Sequence, residues 1–164
     1  MPSGSGAAVF FVAFDSNDEP GLHAWTQFRQ QLLAAKGGVT PANEFHADHV
    51  GVWRLLASNN REVARSASVY SSFDDAREAV EQLQQRASEL EVECFHGPVS
   101  ASHGWTASLD GVVQMTCSRW YETGPISLDV SSASISSLRT ARIIEAPVRA
   151  RMALRASQRT LPLV

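Results

Sequence analysis

The sequence predicts an α+β fold: an antiparallel sheet from two related β-hairpin-plus-helix units, their helices on one face, preceded by an N-terminal strand and helix. Three observations carry this. Residues 53–67 alternate apolar and polar on either side of Asn59-Asn60, a dipeptide that tolerates the positive φ of a tight hairpin turn. A helical pattern starts directly afterwards, opened by Ser72 and Asp75 at capping distance. Residues 105–121 then set a second hairpin around Asp110-Gly111, again beginning with Trp and ending with Tyr.

The bulk numbers are compatible with such a fold. The chain has 164 residues, 44% of them hydrophobic and 19% charged, which is the size and balance of a globular domain rather than a disordered segment. No apolar run nears the roughly 20 residues of a membrane helix. No positive charge precedes the short apolar stretch of the N-terminus, so Phe10, Phe11 and Phe14 read as a buried strand and not as a secretory leader. Cys94 and Cys117 form no CxxC pattern and read as two reduced thiols in a cytoplasmic protein.

Taken in order, residues 9–14 (VFFVAF) form a continuous apolar run bounded by turn formers, the pattern of a buried strand. Leu22, Trp25, Phe28, Leu32 and Leu33 then recur at helical spacing, and Gly37-Gly38 supplies the stop for a helix over residues 22–36. Residues 39–43 contain Pro41 and read as a linker; residues 44–49 read as a short strand. In the hairpin, a two-residue turn places Leu55 opposite Ala64 and Trp53 opposite Ser66. Trp53, Leu55, Ala57 and Ala64 then form the core side, and Arg54, Arg61 and Arg65 the outer side. In the helix that follows, Phe73, Ala76, Val80, Leu83 and Ala87 fall on one stripe, and residues 91–95 (EVECF) alternate as a strand. Aligning the turns matches Tyr121 with Tyr70, and Trp105 with Trp53 once one residue is dropped from the second hairpin's first strand. Residues 123–126 read as an insertion, and residues 131–138 are too serine-rich to be a strong helix. The organisation expected is an extension over 1–42, a first unit over 43–96, a second, degenerate unit over 97–143, and a basic tail or helix over 144–164.

The run Trp53-Arg-Leu, Ala57-x-Asn59, Val63-Ala64-x-Ser66 and Tyr70-Ser-Ser, followed by Ala76 and Ala79-Val80, resembles the YegP-like family of small, often tandem bacterial domains of unknown function. The resemblance implies a β-β-β-α-β unit, two of which share one sheet and exchange their last strands. Asn60 stands where the family usually has Gly, Val69 precedes the Tyr, and the second unit lacks the Arg and Leu after its Trp. The family carries no known catalytic residues.

Few residues suggest chemistry. His46 and His49 lie three apart, which on a strand places them on opposite faces. His96 and His103 flank the loop HGPVSASH, which can bring them together, but a zinc site needs further ligands and only Cys94 is near. No metal and no cofactor is assigned. No nucleophile elbow, P-loop or dinucleotide fingerprint is present. Cys94 and His96, two apart on one strand face, are the candidate catalytic pair for a small hydrolase or thiol enzyme, against the plainer reading of Cys94 as a small packing residue. Net charge is −3, yet six arginines and a single acid from Arg139 onward make that segment +5. Over residues 147–159, Arg151, Arg155 and Arg159 share one helical face with Arg149 just before them. These four are the candidate binding residues for nucleic acid, an acidic membrane surface or an acidic partner, although a helix docked on its own domain, or a frayed tail, is favoured. The function expected is that of a non-enzymatic binding or interaction module. A second copy of the chain is a candidate partner, a membrane is not, and nucleic acid is not favoured.

Overall fold

The structure, a computed structural model, describes residues 6–14, 19–37 and 50–149. The strands β1 (Ala8–Phe14), β2 (Val50–Leu56), β3 (Glu62–Ser66), β4 (Glu91–His96), β5 (His103–Leu109), β6 (Val112–Thr116), β7 (Arg142–Ile143) and β8 (Val148–Arg149) form one sheet. Its order is β4-β5-β6-β3-β2-β1-β7, with β8 also on β1. Three helices pack on it: α1 (Pro20–Lys36), α2 (Phe73–Gln85) and α3 (Gly124–Thr140). The fold is α+β as expected. From β4 to β1 every pairing is antiparallel, whereas β7 and β8 run parallel to β1. Two-residue strands leave no alternation in a sequence, so this edge was not legible. The segments 39–43 and 44–49, and Gly38, His46 and His49 within or beside them, lie outside the described residues.

Both hairpins form, by different turns. Asp110 and Gly111 both have positive φ, 52° and 79°, and join Leu109 to Val112 as a two-residue primed turn. At the first hairpin only Asn60 is left-handed, with φ 65°. Ala57 and Arg61 close a three-residue loop there: Asn60 N–H donates to the Ala57 carbonyl, and Ala57 N–H to that of Arg61. The loop is one residue longer than a two-residue reading of Asn59-Asn60 allows, and a bulge at Val63, between the pairs Leu56–Glu62 and Leu55–Ala64, takes the slip back out. The predicted register is therefore found, with Leu55 opposite Ala64. A bulge in the same place, at Gln114, sits between the pairs Ser108–Val113 and Ala107–Met115. The residue missing from the second unit thus belongs to its loop, not to its first strand.

The two hairpins and the helices that follow them share several features. Trp53 and Trp105 are both fully buried. The Trp53 N–H donates to Ser66 Oγ, and the Trp105 N–H to Cys117 Sγ. Isolated bridges join Gly51 to Tyr70 and His103 to Tyr121. Ser72 caps α2 by accepting from Asp75 N–H, and Thr123 caps α3 by accepting from Ile126 N–H. Residues 123–126 are therefore the start of a helix rather than an insertion, with Pro125 in its first turn.

The serine-rich helix is 17 residues long, and three of its serines face inward. Ser127, Ser131, Ser134 and Leu138 form its buried stripe, and small side chains let the helix settle close to the sheet. The Ser131 hydroxyl donates to the Leu128 carbonyl and that of Ser134 to the Val63 carbonyl, which limits the cost of burying them. Packing here overrides propensity.

Adjacent strand residues point to opposite faces, and this separates the helices. Val9, Phe11, Trp53, Leu55 and Trp105 share a core with Ala76, Val80 and Leu83 of α2 and Leu138 of α3. Val12, Phe14 and Val52, on the other face, cluster with Leu22 and Trp25 of α1. The two unit helices lie together on one face, as expected, and α1 covers the opposite one. Further along α1, Phe28 lies under the Arg65 guanidinium of β3, a methyl added at Gly104 of β5 would come within 2.6 Å of Leu32, and Lys36 is 3.5 Å from Glu93 of β4. The helix so crosses the sheet from β1 to β4. Its length, about 25 Å at 1.5 Å per residue, matches five strand spacings of about 4.8 Å.

Candidate functional site

The predicted catalytic pair does not meet. Cys94 and His96 lie on β4, which ends the sheet, and both are exposed on one face. Among the described residues no hydrogen bond joins them. His96 instead lies across from His103, with ring centroids 4.8 Å apart and nearly perpendicular, and its Nδ1 is 2.8 Å from the Gly97 carbonyl oxygen. The loop 97–102 brings the two histidines together as its ends suggested, closed by Gly97 N–H donating to the Ser102 carbonyl. Among the described residues no three His, Cys, Asp or Glu side chains converge as a metal site would need. Cys117 is free like Cys94 but buried. Burial pushes its thiol from the ordinary value of 9.0 up to about 11, so it stays protonated and unreactive at neutral pH.

Only the first residues of the expected arginine segment are described. Where it was expected to begin, Val148 and Arg149 form β8, beside Val12 and Ala13 of β1. A strand forms here because an edge of β1 is available to pair with. Arg151, Arg155 and Arg159 lie outside the described residues.

The arrangement that sequence reasoning missed lies beneath α1. Phe10, Arg54, Arg65, Thr116, Thr106 and Glu93 are successive cross-strand partners, and opposite residues share a face. From Arg54 to Glu93 a polar row therefore crosses the sheet on the side that α1 covers. At its centre Arg54 and Arg65 stand directly opposite each other. Glu62 lies between them: Arg54 Nη2 donates to Oε2 at 2.6 Å and Arg65 Nε to Oε1 at 2.9 Å. The Glu62 side chain is 13% exposed and those of Arg65 and Arg54 19% and 36%, so the cluster is partly withdrawn from water without being sealed. Phe28 packs under Arg65 with its own ring 5.5 Å from that of Trp120, and Ser118 Oγ donates to the Glu62 carbonyl. The Thr106 hydroxyl is fully buried with no hydrogen-bond partner among the described residues. Arg29, on the buried stripe of α1 between Trp25 and Leu32, has its guanidinium pKa lowered by burial.

The sequence placed Arg54 and Arg65 on the outer, solvent side. The face was right, but its cover was not foreseen. The signal was present in α1, whose apolar stripe of Leu22, Trp25, Leu32 and Leu33 needs a sheet face to bury against once the other is taken by α2 and α3.

No protein-family model and no curated protein matches the sequence. Two solved structures are similar to it. One, of the protein of unknown function yegP from E. coli, has a TM-score of 0.49 and 11% identity, over 87% of this chain and 95% of that one. Another, of a UPF0339 protein from Shewanella oneidensis, has a TM-score of 0.47 and 11% identity, over 83% of this chain and 89% of that one. Each is a likeness of overall fold at low identity.

Proposed function

We propose that the chain is a non-enzymatic binding module whose recognition surface is the charged sheet face at Arg54, Glu62 and Arg65. The observation that carries this reading is a pair of guanidiniums set directly opposite each other and sharing one carboxylate. Like charges in opposing positions destabilise a sheet, and withdrawing ions from water adds to that cost. An apolar pair would serve folding better, so the arrangement is what a binding surface would retain. The matched bulges, bridges, caps and tryptophans support reading 43–96 and 97–143 as two copies of one unit, with 1–42 and 144–164 as extensions. The two free cysteines support a cytoplasmic setting, and the open edge of β4 supports pairing with a second copy.

Backbone amide shifts of the full chain, followed while a library of small metabolites is added, test the surface. Binding should perturb residues around Arg54, Glu62, Arg65 and Ser118. Perturbations confined to Cys94 and His96 would contradict the proposal and favour the thiol reading.

A further inference from the structure

We infer that the Arg54–Glu62–Arg65 cluster takes an oxyanion, a carboxylate or phosphate group that presents two oxygens to the Arg65 fork. This rests on the recognition surface proposed above and names its ligand class. Arg65 meets Glu62 through Nε, so the outer edge formed by its two terminal nitrogens is not the edge that faces that carboxylate. Among the described residues no hydrogen bond from these nitrogens to an acceptor is found, and the group stacks on the Phe28 ring. Arg54 likewise spends one terminal nitrogen on Glu62. Two guanidiniums against one carboxylate leave the cluster one unit positive. A guanidinium edge with parallel N–H groups matches a planar pair of oxygens better than a point cation would. The partial withdrawal from water that makes the pair costly also strengthens its attraction for an anion. Phe28 and Glu62 hold the Arg65 plane from below and from the side, so little side-chain freedom is left to lose on binding.

The test follows the Arg65 Nε–Hε resonance of the full chain on addition of inorganic phosphate or succinate at constant ionic strength, with chloride as the control. A saturable shift with phosphate or succinate and none with chloride is expected. Arg65→Gln should abolish binding. Arg65→Lys, which keeps the charge and loses the fork, should weaken it about tenfold. Glu62→Gln, which removes the competing carboxylate, should tighten it by a similar factor. Equal phosphate binding by wild type and Arg65→Gln would overturn the inference. So would the absence of any saturable shift in wild type. If neutral molecules perturb the same amides while both anions do not, the ligand class falls and the surface reading stands. If no molecule of any class does so, both fall.

Discussion

Trp53 and Trp105 show how one backbone position can be served by different atoms. Each buried N–H must find an acceptor; the first unit supplies Ser66 Oγ and the second Cys117 Sγ. Cys117→Ser should therefore keep the bond, and urea unfolding at pH 7 should show a change within about 1 kcal/mol. Its effect should be felt in alkali. A thiol raised in the folded state from 9.0 to about 11 leaves stability untouched below about pH 9. As pH rises from there through about 11, it removes about 1.4 kcal/mol for each unit. The serine variant should lose less stability over that window than wild type. Burial also raises Tyr70 and Tyr121, so some alkaline loss should remain in both. Asn60 makes a second prediction. At φ 65° glycine is the unstrained choice, so Asn60→Gly should be neutral or slightly stabilising, whereas Asn60→Val should cost about 1–2 kcal/mol in the same assay.

At the scale of elements, what could be read followed from how much of the physics is local. The α2 cap, its stripe and the Asp110-Gly111 turn are set by near neighbours, and all were legible. The first hairpin's register was legible although its loop length was not, because the Val63 bulge compensates for the extra loop residue. The cover over Arg54 and Arg65 depends on where an upstream helix that ends at Lys36 comes to rest, which no short window around them contains. That also hid the candidate site. α3 was obscured by its serines, which are poor helix formers on their own and are retained for their fit against the sheet. Gly104 tests the docking of α1. A methyl there would come within 2.6 Å of Leu32 Cδ1 and 2.8 Å of the Trp120 ring, so Gly104→Ala should destabilise by about 1–3 kcal/mol through overpacking. If urea unfolding shows no change, α1 does not press on β5.

Across the whole molecule the sheet is nearly symmetric about the seam between β3 and β6, with β2 and β5 next and β4 beyond β5. The strand β4 crosses this seam from the hairpin that precedes it and pairs with β5. Its counterpart β7 does not reach β2. The place is taken by β1, whose seven residues pair with β2 along their full length, while β7 offers only two and sits outside it. A longer apolar strand wins the central position, and β7 is left the outer edge. Trp53 and Trp105 anchor the two halves of one core, so Trp53→Ala and Trp105→Ala should each cost about 3–5 kcal/mol. One calorimetric scan tests most directly whether the two units share that core. A single transition whose calorimetric and van't Hoff enthalpies agree is the expected result, with each tryptophan variant lowering the whole transition rather than part of it. Two resolved transitions, one moved by Trp53→Ala and the other by Trp105→Ala, would contradict it.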